Sequence, residues 1–237
     1  MSPENHWASL PAKVASLKID FHCHTYSSSD SVARIPQLLK TAHQHGLGRL
    51  VITDHNSIGG ALAAHRLEPD FVIVGEEIQT TYGEILAAFV STEIPKRLDP
   101  FKVIELLRQQ GAFVSVSHPF DPYRSGWPLP LLEEIAPLVD AIEIANARVL
   151  HASWNAQALA FAERFGLPGT AGSDAHDPHE VGRMALDFSG AIDTAAELKA
   201  AIPTAQVVGR ISPFWVHGYS TLAKLEKKLG WFTPDSI

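Results

Sequence analysis

Two pairs of residues, each separated by one position, are the first sign of chemistry in this chain: His22 and His24 near one end, Asp174 and His176 near the other. Residues two apart on an extended segment share a face, so each pair can direct both side chains at one ion. Cys23 lies between the first two, points to the opposite face and reads as a small buried residue. Between the pairs come Asp30, His55, Glu77, Glu84, His118 and Glu143. In Asp54/His55 and Glu76/Glu77 the same alternation lets only one of each pair face the site. Imidazoles and carboxylates without thiolate suit Zn, Mn or Fe(II). The set exceeds what one ion can accept, so two or three divalent ions sharing a bridging carboxylate is the expectation. Paired ions suit an in-line displacement at phosphorus, which points to hydrolysis of a phosphate ester.

The elements around these residues have a common rhythm. Short apolar runs (Lys18–Phe21, Leu50–Thr53, Phe71–Val74, Ile85–Val90, Ala112–Val116, Ala141–Ile144, Pro168–Ala171) alternate with helical stretches. The helices are expected at Ser31–His45, Gly59–His65, Pro100–Gln110, around Leu131–Leu138, Ser153–Phe165 with Ser153 as its cap, Thr194–Ala201 and Leu222–Leu229. Continuous apolar strands alternating with helices imply a parallel sheet covered on its faces. Polar residues at or just past so many strand ends fit a closed or nearly closed (β/α) barrel better than an open sheet with one switch point. Each residue also has an ordinary reading. His118 before a proline could orient a turn, Asp174 could cap a helix, and Glu143 could pair with a rim arginine. Taken together those readings fail, because so many ionisable groups facing one pocket would be costly without cations.

Composition limits the partners. The 237 residues are 46% hydrophobic, enough for one large domain, and 26 acidic against 19 basic residues leave a net charge of −7. That balance argues against a groove for long duplex nucleic acid and against a basic membrane patch. One cysteine excludes an internal disulfide. The first residues lack the pattern of a signal peptide, and no apolar run is long enough to span a bilayer, so a soluble cytoplasmic protein is expected.

Read in order, Asp-Phe-His-Cys-His-Thr, Thr-Asp-His-Asn, Gly-Glu-Glu-Ile, Ser-His-Pro-Phe, Ile-Glu-Ile-Ala-Asn and Gly-Ser-Asp-Ala-His resemble the motifs of the polymerase and histidinol phosphatase (PHP) family. The resemblance runs over residues 18–185 and implies an α/β fold, a distorted seven-stranded (β/α) barrel. The whole chain, 1–237, reads as a single domain with a C-terminal extension at 212–237. The resemblance also implies a two- or three-metal centre that hydrolyses phosphoesters. By motif, His22, His24, Glu77 and Asp174 would hold a first ion, with Glu77 bridging to a second that His118 also binds. Asp30, His55 and His176 would hold a third. Catalysis would rest on Glu77, Asp174 and His176. Two features depart from the family's pattern: Glu84 stands where members often carry His, and the loop bearing Asp30 is one residue longer. Arg148 and Arg183, with Asn146, are the candidates for substrate phosphate, guanidinium being suited to bidentate recognition.

The leading expectation is a phosphoesterase acting on a small-molecule or nucleotide ester. Its near alternative is an exonuclease on short oligonucleotides or a 3′-phosphorylated nucleotide. Metal-dependent amide hydrolysis and a non-catalytic metal-bearing accessory domain are the readings from other classes.

Overall fold

The computed structural model describes residues 16–124 and 126–231. The expectation about a signal peptide concerns residues 1–15 and lies outside the described residues, as does the end of the C-terminal extension beyond 231.

Strands β2 (Arg49–Ile52) and β5 (Phe113–Val116) are buried at every position, as runs covered on both faces must be. With β1 (Ser16–Asp20), β3 (Val72–Gln79), β4 (Glu84–Ala88), β6 (Ala141–Asn146) and β7 (Gly169–Gly172) they follow one another round the barrel in chain order. The ring closes just past the ends of β1 and β7. Phe21 N donates to Ala171 O, His24 N to Ala175 O and Asp174 N to His22 O. Closure brings the two chemistry-bearing pairs side by side. It also explains Gly172, where a Cβ would sit 2.3 Å from the Cβ of His22.

Among the described residues the sheet has nine strands rather than seven. β8 (Met184–Ser189) and β9 (Gln206–Gly209) extend it antiparallel from the other edge of β1. The expected all-parallel pattern also fails at β4, which runs antiparallel to both β3 and β5. Its reversed direction puts the start of the strand, Glu84, on the rim where its neighbours end.

Among the described residues seven α-helices accompany these strands: α1 (Ile35–Gln44), α2 (Gly59–Leu67), α3 (Pro100–Gln109), α4 (Leu129–Ile135), α5 (Ala152–Phe165), α6 (Ala195–Ala201) and α7 (His217–Lys228). α1 starts later than Ser31, at Ile35, with Arg34 as an extended N-cap at φ −75° and ψ 133° and Pro36 in the first turn, where its missing N–H costs nothing. α5 starts two residues earlier than expected, with His151 as N-cap and Ser153 inside the helix, and Gly166 closes it at φ 65°. α7 begins five residues before Leu222.

The barrel interior below the site is packed by Phe21, Val51, Ile73, Phe113, Leu186 and Phe188. The ring of Phe21 lies 6.4 Å from that of Phe113 and 6.1 Å from that of Phe188. Burying this aromatic floor fixes the backbone from which His22 emerges. A second apolar cluster joins α1 and α2 to β2, and Cys23 is in it, facing away from its histidine neighbours.

Candidate metal centre

Strand ends bring His22, His24, Asp30, His55, Glu77, Glu84, His118, Asp174 and His176 to one mouth. Their donor atoms form overlapping groups: His24, His55 and His176; His22, His24 and Asp174; His22, Glu77 and His118; and His55, Glu77 and Glu84. Glu77 stands at the middle. Its Oε1 lies 3.2 Å from His118 Nε2, and its Oε2 lies 3.2 Å from His22 Nε2, 3.4 Å from His24 Nε2 and 3.0 Å from His55 Nδ1. Asp30 reaches the cluster despite its longer loop, at 3.4 Å from His176 Nε2 and 3.6 Å from His55 Nε2. Glu84 is at the edge, 3.7 Å from His118 and 3.9 Å from His55.

Alternation sorts the acidic pairs. Glu76 turns away to accept from Ile94 N, while Asp54 accepts from Thr25 N, Thr25 Oγ1 and Ser28 Oγ. That places His55 and Glu77 in the site. Asp174 has φ 53°, a left-handed conformation that aspartate tolerates better than most residues, here at the turn that ends β7.

Hydrogen bonds on the far side of each ring decide what the near side offers. Ser28 Oγ gives its proton to Asp54, so at 3.0 Å it can only accept from His24 Nδ1. The lone pair of His24 Nε2 therefore faces Asp174 Oδ1 at 3.3 Å and Glu77 Oε2 at 3.4 Å. His176 Nδ1 donates to the Asp174 carbonyl at 2.8 Å, so its Nε2 lone pair faces Asp30 Oδ1. Neither ring readily takes a proton. Burial and the neighbouring His176 and His55 hold His24 well below its ordinary pKa, and burial lowers His176 to about 3. Glu77 Oε2 and Asp30 Oδ1 are buried without a hydrogen-bond donor. Acceptors facing acceptors in a dry site are repulsive unless a cation lies among them. The residues present therefore fit divalent ions.

The carboxylates draw positive charge elsewhere too. His22 is raised to about 10, burial being outweighed by Glu77 and Glu143. Burial pushes Glu77 upward, but His22 and His55 outweigh it and keep the carboxyl well below its usual range. Glu143 accepts from His22 Nδ1 at 3.0 Å and from His118 N at 2.8 Å, so it orients two rings from behind. It is neither a rim ion pair nor one of the converging donors.

The substrate candidates separate. Arg148 lines the cleft, about 380 Å³ in volume, but is 3% exposed and heavily bonded. Its Nη2 donates to Val216 O and Ser220 Oγ, and its Nε lies 3.5 Å from Glu180. Asn146 is fully buried. Its Nδ2 donates to Asp174 Oδ2 at 3.0 Å and its Oδ1 accepts from Arg148 N, so it braces the site. Arg183 lies in a different groove with His45, His179 and Arg210.

Residues without a motif complete the cleft. Arg124, from a short 3₁₀ turn, pairs with Asp174, and α7 contributes His217, Ser220, Thr221 and Lys224. No spacing marks them, because the tertiary fold alone carries α7 to the mouth. No helix among the described residues is long and apolar enough to cross a membrane.

The geometry agrees with the company this chain keeps. Residues 20–110 match the PHP domain and residues 152–207 the PHP-associated C-terminal model. The uncharacterized protein MJ1587 of Methanocaldococcus jannaschii is 36% identical over 145 residues, 55% of this chain and 82% of that protein. MJ0417 of the same organism is 33% identical over 177 residues, 73% of this chain and 71% of that protein. Among solved structures, PsfC from Pseudomonas syringae has a TM-score of 0.65 at 19% identity, over 90% of this chain and 98% of that one. A two-domain protein of Bacteroides vulgatus, described as containing a predicted PHP-like metal-dependent phosphoesterase, has a TM-score of 0.68 at 18% identity, over 88% of this chain and 70% of that one. The lesion-specific endonuclease of Pyrococcus furiosus has a TM-score of 0.59 at 17% identity, over 81% of this chain and 58% of that one. With the motifs in order, the barrel closed on its two His/Asp pairs and these relatives, the chain belongs to the PHP family.

Proposed function

We propose that the protein is a metal-dependent phosphoesterase acting on a small-molecule or nucleotide phosphate ester. The observation that carries this reading is the pair of neutral imidazole lone pairs, on His24 and His176, turned toward Glu77 Oε2 and Asp30 Oδ1, buried carboxylate oxygens with no hydrogen-bond partner. In this reading His22, His24, Glu77 and Asp174 hold one ion, Glu77 and His118 with Glu84 a second, and Asp30, His55 and His176 a third. Zn, Mn and Fe(II) all suit the donor set. Bound there, the ions supply the Lewis acidity that activates water and neutralises charge developing on phosphorus.

The protein's own residues have three tasks. Ser28 and the Asp174 carbonyl fix the tautomers of His24 and His176, so their nitrogens facing the cleft stay free of protons, while Glu143 orients the His22 ring from behind. Asn146 holds Asp174 in its left-handed turn. Arg124 places a guanidinium beside Asp174, where it can meet phosphoryl oxygens.

A nuclease acting on short oligonucleotides is the second reading, favoured by the likeness to an endonuclease in fold. The net charge of −7 opposes long duplex substrates, whose binding depends on neutralised phosphates. The test is a panel of phosphomonoesters, nucleotides, cyclic diesters and short oligonucleotides with Mn-loaded protein, run beside Glu77→Gln. Turnover of a small ester that Glu77→Gln abolishes supports the proposal. Turnover of oligonucleotides alone supports the second reading, and activity that survives Glu77→Gln contradicts both.

A further inference from the structure

Helix α7 lies beyond both matched family segments, yet it forms one wall of the cleft. It is fastened at both ends. Near its start, Arg148 Nη2 donates to Val216 O at 3.0 Å and to Ser220 Oγ at 2.7 Å. Near its end, Lys227 Nζ donates to the carbonyls of Tyr26 and Ser28, in the loop that carries Asp30. Twelve helical residues extend roughly 18 Å, so the helix spans from the Asp174 side of the mouth to the Asp30 side. The fastening controls which way the helix faces. Ser220, Thr221 and Lys224 look into the cleft, while Leu222, Leu225 and Leu229 stay exposed.

Lys224 is the notable group on the inward face. Its side chain is 62% exposed, and its Nζ is 3.5 Å from Asp30 Oδ2. Asp30 in turn lies 3.4 Å from His176 Nε2 and 3.6 Å from His55 Nε2. One carboxylate therefore separates the ammonium from the imidazoles. A cation held at the His55/His176 group would compete for that same carboxylate, and the ammonium could then turn to another anion. Unlike Arg148, which is buried among protein partners, Lys224 is an exposed point charge lining the cleft.

We propose that Lys224 is a specificity-determining residue: from α7 it binds the phosphoryl oxygens turned away from the metal-ligating cluster and favours the dianion of a phosphomonoester over the monoanion of a diester. Ser220 and Thr221 on the same face supply hydroxyl donors beside it. This rests on the phosphoesterase reading, and names the class of ester that the site selects.

The test compares Lys224→Ala and Lys224→Arg with the wild-type chain, each loaded with Mn. Calorimetric titration with inorganic phosphate should show binding weakened about tenfold in Lys224→Ala and partly restored in Lys224→Arg. Added salt should weaken wild-type binding more than that of Lys224→Ala, since an exposed charge is screened. The preference for p-nitrophenyl phosphate over methyl p-nitrophenyl phosphate should shrink in the same order, with metal content and thermal midpoint unchanged. Equal phosphate affinity in wild type and Lys224→Ala would overturn the role of Lys224 while leaving the phosphoesterase reading standing. Loss of metal with unchanged phosphate affinity would overturn it too, by making Lys224 a partner of Asp30 alone. If the wild-type protein binds no phosphate, the phosphoesterase reading itself falls.

Discussion

Glu143→Gln should weaken metal binding although Glu143 is not among the converging donors. The carboxylate now accepts from His22 Nδ1 through one oxygen and from His118 N through the other, with Asn146 Nδ2 at 3.3 Å from both. A glutamine has one acceptor and one donor in place of two acceptors. His118 N is a backbone donor and cannot change, so it claims the amide oxygen. The amide NH₂ then faces His22 Nδ1 and forces the other tautomer, with a proton on Nε2 that points at Glu77. Loss of such an orienting partner costs about 10–100-fold in metal affinity. That is about 1.4–2.7 kcal/mol, and the forced tautomer argues for the upper end. Competition against a fluorescent chelator measures it, with circular dichroism as a check on folding. Unchanged affinity in a folded Glu143→Gln chain would refute the tautomer argument.

Three other outcomes follow from the same contacts. Arg148→Ala leaves Glu180 buried without its cation and releases α7, so it should lower stability by about 3–5 kcal/mol in denaturant unfolding with metal content retained. Arg124→Ala should lower kcat/KM for a phosphomonoester by about tenfold to a hundredfold without reducing bound metal, which kinetics and elemental analysis read independently. His217 should titrate below its ordinary value of 6.5 by NMR, because burial and then Arg148 and Arg124 disfavour its charged form against the opposing pull of Asp121. The unfolded chain then binds more protons just below pH 6.5, so acidification through that window destabilises the fold, and His217→Asn should lose that part of the slope.

Much of the site could be read from the sequence because its ligands lie at strand ends, where alternation is a local rule. That His22 and His24 share a face, and that only one of Asp54/His55 and one of Glu76/Glu77 can face the site, follows from two-residue periodicity without knowledge of the fold; which one of each does so comes from the structure. Glu84 stands out in the sequence as an acidic residue just before an apolar run, but local pattern does not reveal that β4 runs backward and starts at the rim. The seven-strand ring was visible as apolar runs. β8 gives no such signal, because Met184–Ser189 mixes Asp187 and Ser189 with apolar residues and lacks such a run. Arg183 was singled out for following the Asp-Ala-His loop, yet the chain turns at Gly182, with φ 76°, and Arg183 lines another groove. Arg124 and Lys224 carry no motif at all. They reach the cleft through a 3₁₀ turn and a helix whose placement depends on long-range contacts.

The central claim is that this donor set holds more than one ion. Elemental analysis of the wild-type chain, purified without chelator in Mn or Zn and freed of loose metal by gel filtration, tests it most directly. Two or three equivalents per chain, falling in Glu77→Gln as the bridging charge is lost, is the predicted result. One equivalent or fewer in the wild type would contradict it.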